Sequence, residues 1–247
     1  MSAFECWRRD HCRHLLFSST LATLTAISTA APLLADEHES CTLSSKSDHP
    51  NPSVMEIRLT GDVGTEMAYQ LFGEIDQHLA TYPTLKTIKI LLSSVGGHVE
   101  TGFTIHNYLK GLHQRHALQV VTHNVGSVQS AAVDIYCAGN QRITSPYTFF
   151  MVHNGHFELD EGPYDVNEVR KLDEENAITS EAGYALFSAC TNLTVTKVGE
   201  MFEDQTYIDP DQALELGLTH SIQPATFDRS ADIRCQIAVL DNDETEK

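Results

Sequence analysis

The sequence predicts an α/β fold in which helices flank a mostly parallel β-sheet. Short apolar segments alternate along the chain with segments of helical periodicity, and turn-forming residues separate them. Alternation of this kind is typical of right-handed β–α–β units, whose strands run parallel. With 247 residues, the chain is long enough for one domain of ordinary size with a hydrophobic core.

The elements follow from composition and period. Buried strands are predicted at 54–59, at 88–92, at 118–122 and in a segment that ends at His153. Helices are predicted at 65–80, at 99–112, after Ser130, at 166–190, at 195–202 and from Asp209, where Pro210 takes the first position and Gly217 lies near the end. Residues 157–165 are acidic and irregular.

The N-terminus differs from the rest of the chain. Three arginines precede an uncharged run over 15–34, and the acidic residues Asp36 and Glu37 follow that run. A basic segment, an apolar segment and a polar start predict a secretory signal peptide over 1–35. The alternative is an uncleaved membrane anchor, since the run is long enough to span a bilayer. Both interpretations place the domain outside the cytoplasm, as a periplasmic or secreted protein or a membrane-anchored one.

Composition gives the remaining domain boundaries and limits the partners. Residues 36–53 are predicted to be a flexible leader, 54–225 the folded domain and 226–247 an acidic C-terminal tail. The formal net charge is -18 at pH 7. Such acidity argues against nucleic acid and anionic membranes as partners, because both repel a negative surface.

Four cysteines lie beyond the predicted signal: Cys41, Cys137, Cys190 and Cys235. An even number in an oxidising compartment permits disulfides, but the sequence does not choose among the pairings. Cys41 and Cys235 flank the domain and are placed to tie its two ends together. Cys137 lies in an apolar helix, where a small buried hydrophobe is expected.

A candidate site lies between two predicted elements. Ser130 stands where a helix begins, His153 ends a buried strand, and Gly96-Gly97 follows another strand. In a parallel sheet the ends of such strands meet at one edge, so the three features are predicted to lie together. A hydroxyl beside an imidazole forms a nucleophile–base pair. The competing interpretation is a helix-capping serine and a polar strand-end histidine.

Five short motifs occur in an order that resembles the proteolytic subunit of Clp protease, and more closely its phage-type and exported relatives. The motifs occupy 61–63, 93–97, 126–132, 151–154 and 211–218. The resemblance implies the ClpP/crotonase-like fold of repeated β-β-α units with a mostly parallel sheet flanked by helices. It also implies a serine endopeptidase that acts on peptides or unfolded proteins and assembles as a homo-oligomer.

The resemblance implies a role for each matched residue. Ser130 matches the nucleophile and His153 the general base. The amides of Gly97 and Ala131 match the oxyanion hole, and Gly96 sets the shape of its loop. The residue types agree with these roles, since glycine allows close backbone approach and a small residue leaves its amide open.

Two positions depart from the family pattern. The family's catalytic triad has an aspartate as its third member, after the serine and the histidine. That aspartate stands before the strand that leads into the last helix, and ungapped alignment places Gln205 there. A one-residue shift would let Asp204 serve instead. Asp134, one helical turn beyond Ser130, stands where an apolar residue is usual.

These departures leave two functions open, an exported serine peptidase and a catalytically weak or inactive scaffold of the same fold. A crotonase-type acyl-thioester enzyme is a third interpretation, for which no coenzyme site is evident. No cofactor and no metal are predicted, because His153 and His156 lack further ligands around them. No ATPase partner is expected, since ATP is absent outside the cytoplasm.

Overall fold

The computed structural model describes residues 41–43, 51–156, 162–226 and 231–239. The chain divides into Met1–His38 and Glu39–Lys247, and all described residues belong to the second unit. The predicted signal peptide lies outside the described residues, as does most of the predicted leader. In the described part of the chain no helix has the length and hydropathy of a membrane span.

The described residues form strands and helices in the alternating order that the sequence predicts. The strands are β1 (Cys41–Leu43), β2 (Val54–Gly61), β3 (Thr87–Ser94), β4 (Gln119–Gln129), β5 (Gln141–Thr144), β6 (Phe149–Val152), β7 (Thr206–Ile208), β8 (Ser221–Ile222) and β9 (Ile233–Val239). The helices are α1 (Thr65–Thr81), α2 (Val99–His116), α3 (Ala131–Cys137), α4 (Val166–Cys190), α5 (Val195–Glu203) and α6 (Pro210–Glu215).

The strands join one sheet in the order β1-β9-β2-β3-β4-β5-β8, and β6 pairs with the far end of β4 and with β7. The pairs β2/β3, β2/β9, β3/β4, β4/β5, β4/β6 and β5/β8 are parallel. The pairs β1/β9 and β6/β7 are antiparallel. The prediction of a mostly parallel sheet is therefore confirmed.

Local sequence signals set the helix ends. Asp165 accepts a hydrogen bond from the Asn167 amide and begins α4 with a capping box that Glu168 completes. Asp209 caps α6 in the same way through Gln212, and Pro210 takes the first helical position, as predicted. Each cap satisfies backbone amides that a helix start leaves without partners.

Helix α3 is the most buried of the described helices. All seven of its residues are buried. Tyr136 packs edge-on against Phe150, with ring centroids 4.9 Å apart, and its hydroxyl donates to the Ile143 carbonyl. An apolar helix of this kind has no solvent-facing stripe, which explains why its sequence lacks amphipathic alternation.

Two strands of the sheet lie outside the predicted domain bounds of 54–225. Strand β9 lies within the predicted tail, and Ile233, Cys235 and Ile237 alternate as buried residues on one face. Strand β1 lies within the predicted leader and pairs with β9 in a register that places Cys41 opposite Cys235. The sheet therefore extends beyond residues 54–225 at both ends.

Two disulfides connect distant parts of the described chain. Cys41 pairs with Cys235, which confirms that this pair ties the ends of the domain together. Cys137 pairs with Cys190 and joins α3 to the end of α4. The expectation that Cys137 is a free buried hydrophobe is wrong, because an apolar helix pattern does not reveal which sulfur lies across from it.

Replacing Cys137 and Cys190 by alanine is expected to lower the free energy of unfolding by about 2–4 kcal/mol, because the cross-link no longer restricts the unfolded chain. Urea unfolding of the variant and the parent at one pH measures this difference. Non-reducing peptide mapping of the parent is the control and should recover the Cys137–Cys190 cross-linked peptides. Free thiols at both positions would contradict the assignment.

Candidate active site

Ser130 lies at a sharp corner between β4 and α3. Its backbone has φ 50° and ψ -130°, a conformation that non-glycine residues rarely adopt. The Ser130 amide donates to the Met151 carbonyl at 2.8 Å, which holds the corner against β6. Strain of this kind at a strand-to-helix turn is how hydrolases expose a serine hydroxyl.

His153 follows β6, and its Nε2 lies 2.9 Å from the Ser130 Oγ. The two residues meet because β4 and β6 run parallel, with Gln129 in register with Met151. Each side chain then stands just beyond the carboxyl end of its strand. The structure therefore brings together the serine and histidine that the sequence predicts as a pair.

The loop Gly96-Gly97 passes directly beside Ser130. A Cβ added at Gly96 would lie 2.6 Å from the Ser130 Cβ, and one added at Gly97 would lie 2.4 Å from the Val63 carbonyl oxygen. Both residues have positive φ, 104° and 147°. Steric exclusion and backbone conformation therefore both require glycine here.

Two backbone amides close to the serine in the chain or in space have no partner in regular structure. Gly97 forms a β-bridge with Val63, but its hydrogen bonds use the carbonyl of Gly96 and the amide of His98. The Gly97 N–H lies outside that bridge. Ala131 is the first residue of α3, so its N–H has no acceptor within the helix. Together these amides can stabilise an oxyanion.

Burial shapes the charge state of His153. Desolvation lowers the pKa of the imidazole below its ordinary value of 6.5, and nearby His156 lowers the pKa further. The rings of His153 and His156 stand edge-on, with centroids 4.7 Å apart. His153 is therefore neutral at neutral pH and able to accept a proton.

Among the described residues, no side chain acts as the third member of the triad by accepting a hydrogen bond from His153. His153 Nδ1 is buried and has no hydrogen-bond partner within the described residues. Asp204 and Gln205 are both exposed, and neither bonds to the imidazole. The antiparallel register of Val152 with Thr206 extends to place Gln205 across from His153. The choice between Asp204 and Gln205 as third member stays a prediction.

Asp134 lies in the wall of a cavity of about 40 Å³ that Ser130 and His153 also line. Its side chain is buried, and desolvation raises the pKa of its carboxyl to about 8. The sequence singled out Asp134 as unusual without assigning it to the site. The four-residue spacing from Ser130 is the signal that places both on one face of α3.

One group of possible metal ligands occurs among the described residues, away from Ser130. Ligand atoms of Cys41, Glu74, His78 and Cys235 lie within 4.8 Å of one another. The two sulfurs share a disulfide, so neither is a thiolate that can bind a metal. The group is therefore explained as part of the β1/β9 cross-link.

A serine hydroxyl on an imidazole, beside two open amides at the edge of a parallel sheet, is the arrangement of a serine-nucleophile hydrolase. The comparison with known families agrees with this class. The chain belongs to the Clp protease family, which it matches over residues 53–225. The resemblance predicted from the five motifs is confirmed.

Individual relatives support the same family. The chain is 27% identical over 140 residues to the ATP-dependent Clp protease proteolytic subunit 2 of Gluconobacter oxydans (strain 621H). That match covers 56% of this chain and 60% of the relative, so the chain spans less than two thirds of the curated relative's length.

Solved structures confirm the predicted ClpP/crotonase-like fold class. ClpP1 from Listeria monocytogenes superposes with a TM-score of 0.54 at 21% identity, covering 69% of this chain and 92% of that one. A point mutant of the same protein gives a TM-score of 0.59 at 21% identity, covering 69% and 91%. The mixed sheet flanked by helices is common to all three.

Replacing Gln205 by aspartate is expected to speed acylation by at least about tenfold, because a carboxylate across from His153 stabilises the imidazolium. Gln205 has φ 49°, a conformation that aspartate tolerates better than most residues. The labelling rate with a fluorophosphonate probe measures the effect, and Asp204→Asn is the matched control. A loss of labelling rate in Asp204→Asn, together with no gain in Gln205→Asp, would instead assign the role of the third triad member to Asp204.

The rate of acylation is expected to fall to half of its maximum only below pH 6.5, because His153 must be neutral and its pKa lies under that value. Replacing His156 by glutamine removes a neighbour that lowers the pKa, so the acid limb should move to higher pH. A pH profile of the labelling rate for both proteins tests this. A parent profile with its midpoint above pH 6.5 would contradict the expectation.

Proposed function

We propose that this protein is an exported serine endopeptidase that cleaves peptide bonds through an acyl-enzyme. The observation that carries the proposal is the 2.9 Å contact between Ser130 Oγ and His153 Nε2 at a strained strand–helix corner. Membership of the Clp protease family supports the same class of reaction. No described residue other than Ser130 combines a hydroxyl with this position between imidazole and open amides.

Acylation proceeds by proton transfer and attack. His153 Nε2 takes the hydroxyl proton while Ser130 Oγ bonds to the substrate carbonyl carbon. The amides of Gly97 and Ala131 donate to the oxygen that becomes negative. The carbon–nitrogen bond then breaks, and the leaving amine takes the proton from His153. The products are the amine half of the peptide and an ester on Ser130.

Deacylation repeats the sequence with water. His153 removes a proton from the water as its oxygen attacks the ester carbonyl, and the same two amides hold the oxyanion. The carbon–oxygen bond to Ser130 breaks, and Oγ recovers a proton from His153. The carboxylic acid half leaves, and the free enzyme is restored without any cofactor.

The disulfides support an exported location. Cys41–Cys235 and Cys137–Cys190 are bonds that form and persist in oxidising compartments. The signal-like sequence over 1–35 agrees with that setting. Outside the cytoplasm no ATP-driven unfoldase can deliver folded proteins, so the substrates are peptides or chains that are already unfolded.

Exposed apolar residues on α4 support a homo-oligomer. Val166 is 82% exposed, Ile178 is 69% exposed and Val169 is 47% exposed. Such residues on one long helix are typical of a surface that another subunit covers. The curated Clp relative is named as a proteolytic subunit, which agrees with a protein that assembles.

The second candidate is a catalytically weak scaffold of the same family. The observation that favours it is the buried His153 Nδ1, which has no acceptor among the described residues. Without an acceptor the imidazolium formed during attack gains no stabilisation, and loss of the acid lowers rates by several orders of magnitude in related sites. The two candidates differ in whether Ser130 reacts.

A fluorophosphonate probe is expected to label the protein on Ser130, and Ser130→Ala should abolish the labelling. His153→Ala should slow it by about 10³-fold or more, because the hydroxyl then has no base. Mass spectrometry of the labelled peptide locates the adduct. Ser127→Ala, a serine three residues earlier on β4, is the matched control and should react like the parent. Equal labelling of parent and Ser130→Ala would favour the scaffold.

A further inference from the structure

The cavity beside Ser130 and His153 contains an ionisable group that has no role in the proposed steps of peptide hydrolysis. Its walls include residues of α2, α3, α4 and α5, with Val99, Phe103 and Phe202 supplying apolar surface. Of the described residues that line it, Asp134 alone carries a carboxyl group. A pocket of this kind holds the substrate side chain next to the bond that is cut, because it adjoins the nucleophile.

Asp134 has no partner within the described protein. Its side chain is 8% exposed. Its backbone carbonyl, not its carboxyl, accepts a hydrogen bond from His106 Nδ1. No hydrogen bond or ion pair from a described residue reaches the carboxyl. A buried carboxyl without a partner costs free energy, and native proteins keep such groups mainly where they serve a function.

The Asp134 carboxyl lies close to the backbone of α2 at Gly102. A Cβ added at Gly102 would lie 3.1 Å from Asp134 Oδ2 and 2.8 Å from the Ala131 carbonyl oxygen. The missing side chain at Gly102 therefore leaves room for the carboxyl. Asp134 is also four residues after Ser130, which places the two on one face of α3 about one helical turn apart.

We propose that Asp134 determines specificity in the proposed peptidase and selects a lysine side chain on the acyl side of the scissile bond. The inference rests on the proposed function, because the pocket is defined by its position beside Ser130. A lysine stem matches the apolar walls formed by Val99 and Phe103, and its ammonium supplies the partner that the Asp134 carboxyl lacks.

Cavity size favours lysine over arginine. The inner cavity is small, with a volume of about 40 Å³. A compact ammonium fits such a space, whereas the broader planar guanidinium of arginine does not. Burial raises the pKa of Asp134 to about 8, so the empty pocket holds a neutral carboxyl and the arriving cation favours its ionised form.

The cleft next to the pocket carries acidic side chains. It measures about 310 Å³, begins at Gly97 and shares Val99 and Thr179 with the pocket. Glu100 and Glu175 line it, and its described lining contains no lysine or arginine. A peptide that reaches Ser130 along this cleft therefore meets negative charge, which favours cationic peptides.

The test compares quenched fluorescent peptides that differ only at the residue before the scissile bond. Lysine, arginine and norleucine are used there, since norleucine keeps the stem of lysine and removes its charge. For the parent protein kcat/KM is expected to be about 10²-fold higher for lysine than for norleucine, with arginine between them. In Asp134→Asn the lysine-to-norleucine ratio should fall to about one.

Two controls separate folding and net charge from specificity. Asp173→Asn removes one exposed acid of α4 that lines neither the pocket nor the cleft, and its ratio should match that of the parent. The melting temperature of Asp134→Asn should be at least that of the parent, because the substitution removes a buried ionisable group. An equal ratio for Asp134→Asn and the parent overturns the inference.

A binding measurement distinguishes failure of the inference from failure of the proposed function. Fluorescence polarisation is measured with the same labelled lysine and norleucine peptides on Ser130→Ala and on Ser130→Ala/Asp134→Asn. Tighter binding of the lysine peptide that requires Asp134 supports the inference even if the parent cleaves nothing. Cleavage by the parent without a preference for lysine overturns the inference and leaves the peptidase intact.

Discussion

The hydrogen bond from the Ser130 amide to the Met151 carbonyl, 2.8 Å long, is the constraint on which the site depends. It holds a serine in a left-handed conformation at the point where β4 ends and α3 begins. With that corner fixed, the parallel register of β4 and β6 brings His153 to the hydroxyl. The corner also leaves no space for a Cβ at Gly96. The loop that carries the Gly97 amide can therefore lie beside Ser130 only because residue 96 has no side chain. The positions of the proposed nucleophile, base and oxyanion donors thus follow from one backbone geometry.

Burial acts on the two titratable groups of the pocket in opposite directions. It lowers the pKa of His153, because the imidazolium is charged, and it raises the pKa of Asp134, because the carboxylate is charged. At neutral pH both groups are then neutral in the empty site. A neutral imidazole is the form that can accept the hydroxyl proton, so low polarity keeps His153 in the form that the first proton transfer needs. The same low polarity opposes the charge that appears on His153 once the proton has moved.

The sequence was sufficient for the features that depend on period and strand order. Ser130 and His153 each follow an apolar strand, and a parallel sheet brings such positions to one edge. The Cys137–Cys190 disulfide could not be predicted in this way, since an apolar helix looks the same whether its cysteine is free or bonded. Strand β9 was missed because Arg234 and Gln236 interrupt a short apolar run with polar residues. The third position stays open because Asp204 and Gln205 lie in a turn, where a shift of one residue changes which side chain faces His153.

The charge of the pocket connects specificity with the reactivity of His153. A lysine ammonium alone beside His153 would lower the pKa of the imidazole further and oppose formation of the imidazolium. When the ammonium binds, Asp134 loses its proton and the pair becomes neutral overall. With a neutral substrate side chain Asp134 keeps its proton, because its pKa is about 8, and the pocket is again neutral. His153 therefore meets no net charge from the pocket in either case, so a carboxyl at this position can select a cation without weakening the base beside it.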